Sequence, residues 1–313
     1  MNKAFPSLFL ERLRLILPPR EQEAVLSSFS ASPVLSVRVN TLKIDREACL
    51  AALRGLEVCF QEIPWWPLAL IVDPDSRGLI TASGYFDQGW LYRQSLASML
   101  PVLALDPRPG ERVLDMCAAP GSKTTQIAAL LEGRGTLVAV EAVRSRFYKL
   151  KAVAAGLGAG NITYCCMDAR RFRSQDALFD KILVDVPCSC ETRFKSAEPK
   201  TYEYWSLRKI KEMVRKQRGI VLSASRLLNP GGVLVYATCT FAPEENEGVV
   251  DWLLRKDKGT WDIVPLDFPG LETTPALTRW EGREFDPRVA RCCRVLPTSK
   301  MEGFFMAKLI RVG

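Results

Sequence analysis

The chain has 313 residues, 48% apolar and 25% charged, with a net charge of +8 and a pI near 9.0. That is enough for one sizeable core plus a smaller accessory domain. No uncharged apolar run approaches the ~20 residues a bilayer crossing needs, and Glu11, Arg12 and Arg14 interrupt the N-terminal apolar patch before a signal-peptide core forms. The ten cysteines include no C-x-x-C pair and the chain has no histidine, which disfavours a disulfide scaffold, a Cys/His zinc finger and a dithiol redox motif. Reduced thiols, a cytoplasmic location, a monomer, no metal and no membrane partner are therefore expected. Acid–base chemistry must fall to carboxylates, lysine, cysteine or water. The positive charge fits a polyanionic partner, because neutralising phosphates releases counterions, although charge alone is a weak signal.

In chain order, residues 8–29 carry apolar positions at helical spacing (Leu10, Leu13, Leu17, Ala24, Val25), broken by Pro18-Pro19 into two short helices. Residues 34–40 alternate like a strand, residues 46–54 read as a helix and residues 57–63 as a second strand, with a Pro/Asp/Gly-containing stretch at 64–78. This predicts an α/β accessory unit over residues 1–88. From residue 89 to 313 apolar strands alternate with longer helices, the pattern of a Rossmann-like α/β domain with a parallel sheet. The expected strands are 112–116, 136–141, 161–166, 181–186 and 232–237, with a further strand-like run at 304–310. The expected helices are 122–131, 144–156 and 203–228, the last stopped by Asn229-Pro-Gly-Gly232.

The first of these strands leads into Leu114-Asp-Met-Cys-Ala-Ala-Pro-Gly-Ser-Lys-Thr-Thr-Gln126, where small residues let the backbone approach a ligand before a helix begins. Neither G-x-G-x-x-G nor the phosphate-cradling G-x-x-x-x-G-K-[ST] is present, which disfavours nicotinamide dinucleotides and nucleoside triphosphates. Glu141 ends the next strand, 20 residues after Gly121, where such folds place an acid on ribose hydroxyls. Asp168 and Asp185 follow the ends of the third and fourth strands. Together the three acids suit an adenosine bearing a cationic sulfonium, although each could instead cap a neighbouring turn. Cys188 and Cys239 also follow strand ends, in Asp185-Val-Pro-Cys-Ser-Cys190 and Tyr236-Ala-Thr-Cys-Thr240. A thiolate at such a place can add to C6 of a pyrimidine and turn C5 into a carbon nucleophile; a buried structural cysteine is the commoner alternative.

Over nearly its whole length the chain resembles the Nol/Nop/Sun family of RNA 5-methylcytosine methyltransferases. The resemblance lies in Ser36-Val-Arg-Val-Asn-Thr-Leu42, Gly89-Trp-Leu-Tyr-Arg-Gln94, Asp115-Met-Cys-Ala-Ala-Pro-Gly-Ser-Lys-Thr-Thr125, Asp185-Val-Pro-Cys-Ser189, Thr238-Cys-Thr240 with Pro243-Glu-Glu-Asn246, Arg294-Val-Leu-Pro297 and Gly303-Phe-Phe-Met-Ala-Lys308. The order of these pieces most resembles the bacterial ribosomal-RNA small-subunit methyltransferase F type and the compact archaeal transfer-RNA enzymes. The resemblance implies that S-adenosylmethionine is held by Cys117, Ala118, Ala119, Pro120, Gly121, Ser122 and Lys123 with Glu141, Asp168 and Asp185. It implies Cys239 as nucleophile, Cys188 as the residue that assists release, and Asp185 and Lys123 as further catalytic candidates. The implied substrate is ribosomal RNA, with transfer RNA or an inactive RNA-binding assembly factor as alternatives. The chain departs from the family where Cys190-Glu191 replaces the usual glycine after Pro-Cys-Ser. Between Arg193 and Arg218, nine Lys or Arg and three Glu are interleaved with Phe194, Tyr202, Tyr204 and Trp205. That mixture suits phosphate contacts and base stacking, while a solvated helix face explains residues 208–218 equally well.

Overall fold

The computed structural model describes residues 5–174 and 177–313; the first four residues of the N-terminal apolar patch lie outside the described residues. The chain forms two compact units. One comprises Val34–Leu183 with Asp267–Leu271, and the other joins the segment ending at Pro33 to Val184–Leu266 and Glu272–Gly313.

The discontinuous unit opens with α1 (Ser7–Ile16) and α2 (Pro19–Ser28). Pro19 occupies the first position of α2, where its missing N–H would have had no helical partner. The expected break at Pro18-Pro19 is thus a helix junction. On α1, Phe9, Leu13 and Ile16 recur on one face and are buried.

The other unit begins with β1 (Leu35–Val39), α3 (Arg46–Gly55), β2 (Phe60–Glu62), β3 (Ala69–Val72), α4 (Arg77–Ala82) and β4 (Leu91–Arg93). The strands form an antiparallel sheet in the order β2-β3-β1-β4, with Val37, Val39, Leu50, Leu53 and Leu70 in its core. Asp45 caps α3 by accepting from Ala48 N–H. Strand β3 lies inside the Pro/Asp/Gly-containing stretch at 64–78, for which no strand was expected. Its four residues, all buried, form a run too short for periodicity to reveal.

After α5 (Leu96–Leu105) come β5 (Arg112–Asp115), α6 (Ser122–Leu130), β6 (Thr136–Glu141), α7 (Arg144–Gly156), β7 (Ile162–Cys166) and β8 (Phe179–Asp185). These strands are parallel, in the order β8-β5-β6-β7, giving the expected Rossmann-like sheet. In this order the connections from β5 and from β7 depart to opposite sides, so a ligand crevice is expected at the carboxyl end of β5. Helix α5 escapes periodicity because nine of its ten residues are buried, Pro101 among them.

The discontinuous unit resumes with α8 (Leu207–Ser225), β9 (Leu228–Thr238), α9 (Glu247–Lys256), β10 (Trp261–Val264), β11 (Thr273–Pro275), the short hairpin β12 (Arg279–Trp280) and β13 (Arg283–Glu284), β14 (Cys293–Val295) and β15 (Phe304–Arg311). Strand β15 pairs antiparallel with β9, β10 and β14, and β11 with β14. The helix expected over 203–228 starts at Leu207, because Ser206 caps it through Lys209 N–H, and ends at Ser225. Asn229-Pro-Gly-Gly232 falls within β9 rather than before it, with Gly231 at φ 75°.

Candidate cofactor and cysteine sites

At the carboxyl end of β5, Asp115 turns inward and accepts from Thr124 Oγ1 at 2.7 Å and Cys117 N at 3.4 Å. This folds Cys117, Ala118, Ala119, Pro120 and Gly121 into a tight loop, with a cis peptide between Ala119 and Pro120. Gly121 has φ 110°, and a Cβ there would meet Leu150 at 3.1 Å and Val153 at 3.3 Å; the loop therefore packs on α7 only as glycine. Ser122 opens α6, and buried Lys123 donates to Ser98 Oγ at 2.8 Å.

Glu141 is buried at the end of β6, where it accepts from Val143 N at 2.8 Å, with Arg146 at 3.5 Å. A carboxylate offers about four lone-pair positions, so Glu141 retains acceptors for the vicinal hydroxyls of a ribose. Asp168 follows β7. It caps the turn Ala169–Arg171 through Arg170 N and is paired with the Arg170 guanidinium at 2.5 Å. The Arg170 hydrogen bond holds its carboxyl below the usual range despite some burial. These donors and acceptors, with no phosphate cradle, fit an adenosine.

Three separate sequence motifs meet behind α6. Arg38 donates to Gln94 Oε1 and Thr125 Oγ1, both at 2.9 Å, and Gln94 donates to Gln126 Oε1 at 2.8 Å. Burial lowers the Arg38 guanidinium to about 10. Asn40 donates to the carbonyls of Gly89 and Leu157. These polar residues position the loop through its helix.

In the other unit, Asp185 ends β8 and the following loop carries Cys188, Ser189 and Cys190; Cys239 lies one residue beyond β9. Two hydrogen bonds latch the loop to the end of β9: Thr192 N and Thr192 Oγ1 both donate to the Cys239 carbonyl. Buried Glu191 adds two more, accepting from Thr240 Oγ1 at 2.8 Å and Phe241 N at 3.0 Å, and it also accepts from Trp205 Nε1 at 2.7 Å. Glu245 fixes Ser189 N and accepts from Gln217 Nε2; burial raises it to about 8. Glu191, whose role the loop sequence left open, is thus a structural clamp.

The latches bring Cys188 Sγ to 3.3 Å from Cys239 Sγ and 3.9 Å from Cys190 Sγ. Hydrogen bonds from Cys188 and then Cys239 draw the Cys190 thiol down to about 3. Hydrogen bonding to Cys190 and Cys239, with burial, pushes Cys188 up. At Cys239 the Cys188 hydrogen bond pulls downward, but Cys190 and burial outweigh it and leave the thiol at about 11. The charges at Cys239, Glu302, Cys190 and Asp185 raise the nearby Arg193 guanidinium. Cys190 itself sits at φ 57°, ψ 30°, a left-handed conformation costing a cysteine about 1–2 kcal/mol relative to glycine.

The basic-aromatic stretch resolves differently from the expectation of a stacking surface. Phe194 and Tyr202 are buried with Phe9, Phe29 and Phe241, and Trp205 packs against the same cluster. Only Tyr204, 81% exposed, remains available for stacking among the four aromatics. Their apolar area is consumed by α1 and α2, which alternation of basic and aromatic residues along a chain cannot reveal. On α8, Glu212 pairs with Lys209 and Lys216, as a solvated face does. Arg193 and Glu245 were given no role from sequence; their signal was proximity to the two cysteine motifs.

A family model described as 16S rRNA methyltransferase RsmB/F matches residues 102–310, and one described as the N-terminal domain of 16S rRNA methyltransferase RsmF matches residues 5–96. The chain is 36% identical over 287 residues to the tRNA (cytosine(49)-C(5))-methyltransferase of Pyrococcus abyssi, covering 88% of this chain and 87% of that protein. It is 35% identical over 312 residues to the Ribosomal RNA small subunit methyltransferase F of Enterobacter sp., covering 97% of this chain but 63% of that protein. Among solved structures it is similar to a methyltransferase homolog from Pyrococcus horikoshii, with TM-score 0.85, 30% identity, and coverage of 98% and 96% of the two chains.

Proposed function

Because the chain belongs to the 16S rRNA methyltransferase RsmB/F family, we propose that it is an S-adenosylmethionine-dependent RNA (cytosine-5)-methyltransferase acting on ribosomal RNA, with Cys239 as nucleophile. The observation that carries this reading is the Cys188–Cys239 pair, 3.3 Å apart on a loop and a strand end latched together. When bound, S-adenosylmethionine supplies an electrophilic methyl group. Cys117–Lys123, Glu141 and Asp168 bind and orient it, with Lys123 anchored on Ser98 as a positioning residue.

The Cys239 thiol releases its proton to solvent to give the nucleophilic thiolate. The Cys239 thiolate then forms a bond to C6 of an unstacked cytosine, and the displaced electron pair makes C5 nucleophilic. Asp185 stabilises charge at the ring nitrogen, in addition to its assigned cofactor contact. After methylation, removal of the C5 proton, assisted by Cys188, restores the double bond and breaks the S–C6 bond. Residues 1–88 are assigned to an accessory RNA-binding role and residues 89–313 to catalysis. A cytoplasmic location agrees with the ten free cysteines and with the lack, among the described residues, of any helix long and apolar enough to cross a membrane.

Cys188→Ala is expected to accumulate a covalent protein–RNA adduct that survives denaturing electrophoresis, while Cys239→Ala and the double variant show none. The opposite pattern, an adduct with Cys239→Ala but not with Cys188→Ala, would exchange the two roles. Transfer RNA is the second reading, favoured by the 36% identity to the Pyrococcus abyssi relative, of which the match covers 87%. Bisulfite sequencing of RNA from a deletion strain separates them by the molecule whose cytosine loses its methyl group. For the cofactor, Glu141→Ala and Asp168→Ala are each expected to weaken S-adenosylmethionine binding about tenfold or more, the worth of a charge-assisted hydrogen bond. RNA affinity should change far less. Calorimetry showing unchanged cofactor affinity in both variants removes the assignment.

A further inference from the structure

Cys190 serves no purpose that a glycine would not serve better in backbone terms, since its φ of 57° is a conformation that L side chains rarely adopt. Residues held in such conformations cluster where a side chain is needed for function. What the conformation achieves here is the placement of a third sulfur: the Sγ atoms of Cys188, Cys190 and Cys239 all lie within 4.8 Å of one another. Two of the three edges measure 3.3 and 3.9 Å. Three thiolates around one Zn²⁺, at the usual Zn–S distance of about 2.3 Å, have S···S edges of about 3.8 Å in tetrahedral and about 4.0 Å in trigonal geometry. The two measured edges lie within about 0.7 Å of these values, and the third is no longer than 4.8 Å.

We propose that Cys188, Cys190 and Cys239 form a three-sulfur site for a thiophilic d¹⁰ cation, Zn²⁺ in the first instance, whose occupation ties up the cysteine assigned as nucleophile. The inhibitory consequence rests on the proposed role of Cys239; the binding itself does not. Binding forms three sulfur–metal bonds, and each sulfur that is still a thiol releases its proton to solvent. Three thiolates on a dication leave a net charge of −1, which the neighbouring Arg193 guanidinium offsets. Soft sulfur ligands select such cations over Mg²⁺ or Ca²⁺. The chain thus carries, on the residues of its own chemistry, a site at which free zinc holds the enzyme off.

The test uses the full chain, stripped with a chelator and kept reduced with a non-thiol phosphine so that no disulfide competes. Zn²⁺ is titrated against a chromophoric chelator, and Cd²⁺ is followed by its sulfur-to-metal charge-transfer absorption. The wild-type chain is expected to bind one tight equivalent. Cys190→Gly, which suits the left-handed backbone and is expected to fold, should lose at least about 30-fold in Zn²⁺ affinity together with most of the charge-transfer band. In parallel, the ratio of methyl transfer with and without added Zn²⁺ should fall steeply for wild type and at least about tenfold less for Cys190→Gly. Equal Zn²⁺ affinity in the two chains overturns the site. Tight binding that depends on Cys190 but leaves methyl transfer unaffected overturns the inhibitory role and, separately, the assignment of Cys239.

Discussion

Replacing Cys239 by alanine is expected to lower methyl transfer at least about a thousandfold, the scale on which removal of a covalent nucleophile acts. Fold and RNA affinity should stay close to wild type. The substitution deletes one sulfur, and the latch onto this residue survives because Thr192 donates twice to the Cys239 carbonyl rather than to its side chain. Cys239 is buried, so the lost sulfur should cost about 1 kcal/mol of packing, which a thermal melt can register. Methyl transfer from a tritiated donor measures the loss. Turnover within a few-fold of wild type would pass the role of nucleophile to Cys188.

The largest effect on stability is expected at Glu247→Ala. The Glu247 carboxylate is fully buried and pairs with Arg294 through two parallel hydrogen bonds of 2.6 Å. It also accepts from Leu277 N at 3.0 Å. Removing one partner strands the other charge in the core, a loss of about 3–5 kcal/mol. In a chain of this size that lowers the melting temperature by roughly 10 °C. Because Arg294 also donates to the carbonyl of Phe241, two residues after Cys239, methyl transfer should fall as well. A melting temperature within about 2 °C of wild type would mean that water reaches and solvates Arg294. The pair explains why Arg294-Val-Leu-Pro297 belongs to the sequence signature although it carries no chemistry.

Where pattern and length were both strong, residues and structure coincide: β6 and α7 have the bounds that the sequence predicts. What escaped was short, or uniformly buried, or decided by distant packing. Helix α5 and strand β3 show no alternation because no face of them meets water. The two cysteine motifs were legible because their residue types are chemically specific and follow strands. The same reasoning could not place Cys190 against Cys239, since metal-ligand spacing rules read along the chain and these two residues stand on different elements. Likewise the aromatic residues after the Pro-Cys loop suggested a surface. Whether a ring faces solvent depends on what else in the chain needs covering, and here α1 and α2 supplied the demand.

That aromatic cluster also sets an order of events during synthesis. Helix α1 is made before Phe194, Tyr202 and Phe241, so Phe9 must wait for them before its apolar face is fully covered. Roughly 200 residues intervene, which at a translation rate of about 5–20 residues per second is an interval on the order of 10–40 seconds. For that time the nascent chain presents α1 and α2 with their shared apolar face incompletely covered, a target for chaperones and for aggregation between neighbouring ribosomes. The unit that carries the nucleophile can close only after its last strands have been made, so a messenger truncated late yields a chain with an exposed apolar helix and an unassembled site.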